Sequence, residues 1–286
     1  MRGRIACISL ALGLAVTAAL AADEAATPAG TWSINNWIPG EQVQLDLKQG
    51  TSSSRWEWGS SQPLAELKGL TRDQLRATHA EVSFVMVRDA GTFFLTGRSN
   101  LGFASGEFRF VGSPDFASKL AALGYETIAQ NELLGMAVRG ISLDFAAAVK
   151  AAGLKDANVA DLVRLRDHGV EASTLRALGA AAPGLDVETV LELNDHGVDP
   201  TYVRDLAASG NANVGVHDAV RLHDHGVAAS FVKGLTANGR PELTVDEILR
   251  LHDHGVDPAY VARVSAAGYT GLTVDQIVSL HDHGID

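Results

Sequence analysis

One triplet, Asp-His-Gly, occurs five times in this chain, beginning at Asp167, Asp195, Asp224, Asp253 and Asp282. Aligned on its glycine, and with Gly140 preceded by Arg139 as an earlier counterpart, the series Gly140, Gly169, Gly197, Gly226, Gly255 and Gly284 advances by 29, 28, 29, 29 and 29 residues. A period in this range marks one supersecondary unit used repeatedly. Such a unit is too short to bury its own apolar face, so neighbouring units must cover one another.

The grammar of the unit is helical. Seven and four residues before each glycine stand Leu133 and Met136, Leu162 and Leu165, Val190 and Leu193, Ala219 and Leu222, Ile248 and Leu251, and Ile277 and Leu280. That spacing places one apolar stripe on one helix. Five residues after the glycine comes an aromatic in most units, Phe145, Tyr202, Phe231 and Tyr260, with Thr174 as the exception. Asp199-Pro200 and Asp257-Pro258 read as an N-cap and first residue of a second helix, and Gly153, Gly210, Gly239 and Gly268 read as its end. "SPDFASKLAALGY", from Ser113 to Tyr125, fits the second helix of a preceding unit. Residues 112–286 are therefore expected to form an α-solenoid of about six 29-residue helical-hairpin repeats.

Before residue 112 the period is two. Val43, Leu45 and Leu47, then Val82, Phe84 and Met86, then Phe108 and Phe110 alternate as in strands with one buried face. Gly91, Gly97, Gly102, Gly106 and Gly112 are read as turns or bulges between short strands. Leu64, Leu67 and Leu70 have helical spacing, and Thr71 is a candidate N-cap for a turn through Leu75. Trp32, Trp37, Trp56 and Trp58 suit packing better than a sugar-stacking platform. The expected class is thus α+β: a small β domain over residues 22–111, then the α-helical repeat array over 112–286.

Arg2 and Arg4 precede an apolar run that ends in Ala19-Leu20-Ala21, the pattern of a cleaved signal peptide over residues 1–21. A periplasmic or secreted location follows from it, with no membrane insertion after cleavage. The single cysteine, Cys7, falls within this leader. Residues 22–111 hold 8 Lys and Arg against 10 Asp and Glu, whereas residues 112–286 hold 13 against 24, a net charge of −11. An acidic array lacks the clustered cations that nucleic acid requires, so no nucleic acid is expected as a partner.

His168, His196, His225, His254 and His283 each precede the repeat glycine, which makes them the last residues of their helices and matches a donor to the helix dipole. Arg139 takes that place in the first unit. The adjoining aspartates are candidates for a ladder of Asp–His contacts between repeats. A different reading starts from His223 with His225, His252 with His254, and His281 with His283, three His-x-His pairs of the kind that bind zinc, nickel or copper. Residues two apart diverge on a helix, so those ligands would have to come from adjacent repeats. No His-Glu-x-x-His, Gly-x-Ser-x-Gly or Walker motif occurs, His79 with Glu81 is an isolated pair, and a non-enzymatic protein without a cofactor is expected.

The segment Leu243 to Tyr269, with its His-Gly-Val-Asp-Pro-Ala-Tyr-Val core, resembles helical repeats of bacterial exported proteins. With the segment Phe84 to Phe110 before the repeats, the chain is similar to the extracytoplasmic accessory region of some BlaR/MecR-type membrane metalloproteases. The protease zinc motif, the membrane helices and a penicillin-binding serine motif are absent from this sequence; Ser52, Ser53 and Ser54 have no Lys three positions on. The resemblance implies a sensor-type binding module that recognises a protein or cell-envelope component. The sequence ends in His-Asp-His-Gly-Ile-Asp, and Ile277, Val278 and Leu280 are expected to be partly uncovered there, a candidate end for self-association.

Overall fold

The computed structural model describes residues 28–35, 41–51, 54–126 and 128–285; the signal peptide expected over residues 1–21, with Cys7, and Trp37, Ser52 and Ser53 lie outside them. The architecture is α+β, a seven-stranded antiparallel sheet followed by helices. Contacts group the chain into two compact units, residues 1–118 with 127–140, and residues 119–126 with 141–286. The first unit therefore extends past the change of period at residue 112 to take in one helix of the repeat series.

The strands are β1 (Ala29–Asn35), β2 (Gln42–Thr51), β3 (Ser54–Pro63), β4 (Leu67–Lys68), β5 (Ala80–Arg88), β6 (Gly91–Asn100) and β7 (Phe103–Gly112), in the spatial order β3-β2-β1-β7-β6-β5-β4. The alternating residues Val43, Leu45, Leu47, Val82, Phe84, Met86, Phe108 and Phe110 are all buried, so one face of the sheet forms the core. The sheet curls until side chains of β3 and β5 meet. Arg88 Nη2 donates to Gln62 Oε1 at 2.5 Å and Arg88 pairs with Glu66 at 2.7 Å.

Trp32 organises the centre of this unit. Its register runs from Trp58 through Leu47 to Trp32, then across Gly106 and Gly97 to Val82. The buried indole Nε1 donates to Thr96 O at 3.0 Å and Glu107 O at 3.1 Å, which satisfies its one donor. A Cβ at Gly97 would come within 2.1 Å of Ser105 O, and one at Gly106 within 1.9 Å of Thr96 O. These two glycines thus lie inside long strands in unbroken register, where backbone approaches backbone, and are not the turns or bulges between short strands expected from the sequence. Gly102 does serve the β6–β7 turn.

The helical spacing of Leu64, Leu67 and Leu70 has another origin as well. A 3-10 turn over Leu64–Glu66, the short strand β4 and a loop bury all three without a common helix. Thr71 does cap a helix, α1 (Arg72–Arg76), in a reciprocal arrangement with Gln74.

The helices after the sheet are α2 (Pro114–Ala122), α3 (Gln130–Val138), α4 (Leu143–Ala151), α5 (Val159–Asp167), α6 (Ala172–Ala181), α7 (Val187–Asp195), α8 (Pro200–Ala207), α9 (Ala219–Asp224), α10 (Ala229–Ala237), α11 (Val245–Asp253), α12 (Pro258–Ala266) and α13 (Val274–Asp282). A 3-10 turn over Val216–Asp218 leads into α9. Helices of six to ten residues do not persist alone in water, and tertiary contacts hold them. The helices that follow each repeat glycine touch in series, α4 with α6, α6 with α8, α8 with α10 and α10 with α12. Among the helices that precede it, α5 touches α7, α7 touches α9, and α11 touches α13. Leu162, Leu165, Val190, Leu193, Ala219, Leu222, Ile248, Leu251 and Ile277 are buried as their stripe requires.

Capping residues fix where these helices begin. Asp186, Asp199 and Asp257 accept from the backbone N–H of Thr189, Thr201 and Tyr260, and Thr244 and Thr273 form capping boxes with Glu247 and Gln276. At Ala182, where the expected terminal glycine is missing, the chain turns extended and Gly184 takes the left-handed conformation two residues later. No helix among the described residues is long and apolar enough to cross a membrane.

Candidate interaction face of the helical units

The sequence places each repeat histidine at a helix end, and the backbone agrees. His168, His196, His225, His254 and His283 are C-caps, and the glycines after them have φ between 67° and 75°. In each case the residue after the glycine donates its N–H to the carbonyl five residues back, as Val170 does to Leu165 O at 2.9 Å.

The imidazoles, however, mostly do not serve their own helices. His168 Nδ1 lies 2.8 Å from Asp195, His196 Nδ1 2.8 Å from Asp224, and His254 Nδ1 3.0 Å from Asp282, each aspartate belonging to the next unit. His225 and Asp253 repeat the relationship at 3.9 Å. His283, last in the series, turns back to the carbonyl of Ser279 at 2.7 Å, and Arg139 in the first unit likewise donates to Gly135 O at 3.1 Å. The helix-terminating role of these two side chains is therefore what the other histidines exchange for a bond between units.

A second relationship links the aromatic of one unit to the residue three before the glycine of the next. Tyr202 meets His223, Phe231 meets His252 and Tyr260 meets His281, edge to face, with ring centroids 5.6, 5.4 and 5.0 Å apart. Two units before His223, Arg166 holds the histidine position and its guanidinium stacks on Phe145 at 5.3 Å. Where the aromatic is replaced by Thr174, the facing position is Asn194, which donates to His168 O at 2.8 Å. The carbonyl one past the glycine is satisfied by Tyr202 at Val227, by Tyr260 at Ile285 and by Arg166 at Val170. Different residues thus solve one recurring hydrogen-bonding problem.

These contacts separate the two members of each His-x-His pair. His225, His254 and His283 lie at the helix ends, whereas His223, His252 and His281 pack on rings of the preceding unit. Nδ1 of the latter three is buried and has no hydrogen-bond partner, and it stands 3.8, 3.6 and 3.8 Å from the carboxylates of Asp224, Asp253 and Asp282. The imidazoles that share an aspartate are therefore His196 with His223, His225 with His252, and His254 with His281. No group of three or more His, Cys, Asp or Glu arranged to hold a metal ion occurs among the described residues.

A row of ion pairs runs beside the histidine row. Arg164 pairs with Glu188 at 2.8 Å, Arg221 with Asp246, and Arg250 with Asp275 at 2.9 Å, each arginine five residues before its glycine and each acid nine before the next. Composition alone does not reveal this pairing. Its signal was available in the sequence as a fixed offset between opposite charges in adjacent units. The Arg164 guanidinium holds the Glu188 carboxyl below its ordinary range, and Glu188 raises Arg164 in return. The hydrogen bond from His168 lowers Asp195, and the side-chain and backbone bonds from Thr189 lower Asp186. A groove of about 500 Å³, lined by Arg221, His225, Asp246, Asp253, His254 and Asp275 among others, follows these rows across three successive units.

The last unit is better covered than its sequence suggests. Ile277 and Val278 are buried and Leu280 is half-buried, because α13 packs on α11 and turns its apolar stripe inward. The apolar side chains exposed towards this end are Tyr269, 60% exposed, and Ile285, 52% exposed. In the sheet unit Trp32 is core, while Trp56 and Trp58 are half-buried on strand β3. No protein-family model matches the chain and no curated protein matches it.

Proposed function

We propose that this chain is an exported, non-enzymatic binding or sensor-type module whose helices form a solenoid of about six helical-hairpin units. It resides in the periplasm or is secreted, and recognises a protein or cell-envelope component through the repeats. The observation that carries this reading is the recurrence of the same cross-unit contacts, His168–Asp195, His196–Asp224 and His254–Asp282 beside Arg164–Glu188, Arg221–Asp246 and Arg250–Asp275. They support an extended face of equivalent positions, the property by which stacked repeats engage long partners. The net charge of −11 over residues 112–286 favours a partner with a basic surface.

Photo-crosslinking residues placed at Glu192 and Asp246, with one at Glu57 in the sheet as a reference, test this in producing cells. Discrete adducts from the two helical positions and none from Glu57 are expected. Folded, exported protein that gives no adduct at either helical position, or the same adducts at all three, contradicts the reading. Self-association through the last unit falls to Leu280 and Ile285; unchanged mass by light scattering in the folded L280E/I285E protein would remove it.

A second reading is a periplasmic protein that binds zinc, nickel or copper. It is favoured by the three buried, unpartnered Nδ1 atoms of His223, His252 and His281 close to carboxylates. Neutral imidazole nitrogen is a good ligand for these ions. Calorimetric titration of residues 22–286 with each metal, beside the His223/His252/His281 triple alanine variant, tests it. Stoichiometric uptake lost in the variant is the expected result, and absence of uptake by the folded protein refutes it.

A further inference from the structure

Independently of the helical units, the sheet contains a pocket of about 390 Å³, with both polar and apolar walls, at one end of strands β1, β6 and β7, within the size range of small-molecule sites. Its walls include Ser33, His79, Arg98, Asn100, Phe103 and Ser105. The strand register sets Ser33 opposite Ser105, Ser105 opposite Arg98 and Arg98 opposite Glu81, so hydroxyls and a guanidinium share one row across the sheet. Among the described residues, the side chains of Ser33, His79, Asn100 and Ser105 make no hydrogen bond. Arg98 reaches Glu81 only at 3.5 Å, and both side chains are largely exposed.

The backbone around this pocket is the unusual part. His79 (φ 58°) and Leu101 (φ 49°) are the two non-glycine residues with left-handed backbone among the described residues. Leu101 opens the two-residue turn between β6 and β7, a place that asparagine or glycine takes with far less strain. The turn is pinned there because Leu101 N donates to Ala77 O at 3.1 Å and Gly102 N to Leu75 O at 2.8 Å. Burial does not compensate for the choice of leucine, which is 63% exposed, and Phe103 two residues on is 53% exposed. Strained, exposed apolar residues beside hydroxyls without hydrogen bonds and a loosely held guanidinium are characteristic of a binding site.

We propose that this pocket binds a small amphipathic organic anion, with its carboxylate on Arg98 and the hydroxyls of Ser33 and Ser105, and its apolar tail along Phe103 and Leu101. Charge and polarity both select this occupant: the head needs a cation with neutral donors around it, and the tail needs the exposed leucine and phenylalanine. Glu81, the present neighbour of Arg98, is a weak competitor because its contact is long and open to solvent.

The probe is decanoate, below its micelle-forming concentration, titrated calorimetrically into residues 22–286. Acetate supplies the head without the tail, and decyltrimethylammonium the tail with the opposite charge. Saturable binding of decanoate alone is expected, weakened about tenfold by Arg98→Gln, the loss of one charge-assisted contact. Leu101→Asn is the second variant. It should weaken binding while raising Tm, because asparagine accepts the left-handed conformation; a structural role for Leu101 would lower Tm instead. The proposal is overturned by absent decanoate binding, by equal binding of decyltrimethylammonium, by an unaffected Arg98→Gln protein, or by a lowered Tm in Leu101→Asn. Binding to anionic vesicles without binding to free decanoate would also overturn it, in favour of a membrane surface. Failure here leaves the reading of the helical units untouched.

Discussion

The hydroxyl of Tyr202 donates to the carbonyl of Val227, 25 residues further on and in the next helical unit, at 2.8 Å. Tyr260 does the same to Ile285, and in the earlier unit Arg166 reaches the equivalent carbonyl of Val170 from its own helix. The bond answers a fixed need, since the carbonyl after each left-handed glycine is left outside the helix ladder. It also couples one unit to the next, which makes it open to direct test.

Tyr202→Phe should cost about 1 kcal/mol near neutral pH, the net value of one such bond. Burial pushes the Tyr202 hydroxyl up to about 12 from an ordinary 10.0. A raised folded value stabilises fully below the unfolded value and is lost as pH climbs through the folded one. The gap between wild type and Tyr202→Phe should therefore narrow between pH 10 and 12, read by chemical denaturation at each pH.

Acid should weaken the helical units through their aspartates. Asp195, held low by His168, Asp186, held low by Thr189, and Asp199, held low by Thr201, each stabilise the fold above the ordinary carboxyl value of 3.8. Their contribution disappears as pH falls through the lowered folded values. Tm should fall below about pH 4, and fall less in the Asp186→Asn/Asp199→Asn protein. An unchanged acid profile in that protein contradicts the assignment.

Gly97→Ala tests the centre of the sheet. The new methyl would meet Ser105 O at 2.1 Å, a backbone atom that side-chain rotation cannot clear. A loss of about 1–3 kcal/mol is expected from denaturant unfolding, typical of overpacking. A neutral result would mean that β6 and β7 separate locally at little cost.

The unit with Thr174 and Asn194 lacks the ring contact of the later units, which invites its reconstruction. Asn194→His alone forfeits the bond to His168 O, and Thr174→Tyr alone gains no facing imidazole. The double variant restores both members of the Tyr202–His223 arrangement. Its stability should exceed the sum of the two single effects by about 0.5–1 kcal/mol, the worth of an aromatic contact of this kind.

If residues 1–21 are a cleaved signal peptide, as proposed, the protein expressed with them should be recovered from the periplasm or medium with Ala22 at its N-terminus, by Edman sequencing or intact mass. A retained leader would remove the exported reading.

By itself, the sequence determined the α+β class, the 29-residue period, the buried stripe of each helix, the glycine after each repeat histidine and the caps at Thr71, Asp199 and Asp257. These are local matters. They depend on periodicity and on backbone preferences within a few residues, which any short window displays. Tertiary structure decided which side chains meet. The sequence could propose an Asp–His ladder, yet it could not show that His223 leaves the His-x-His pair to pack on Tyr202, because that choice depends on which neighbouring surface lies nearby. For the same reason Gly97 and Gly106 read as turns or bulges until the indole of Trp32 and the close approach of β6 to β7 account for them. Ile277, Val278 and Leu280 read as partly uncovered until α11 supplies the face that buries the first two and leaves Leu280 half-buried.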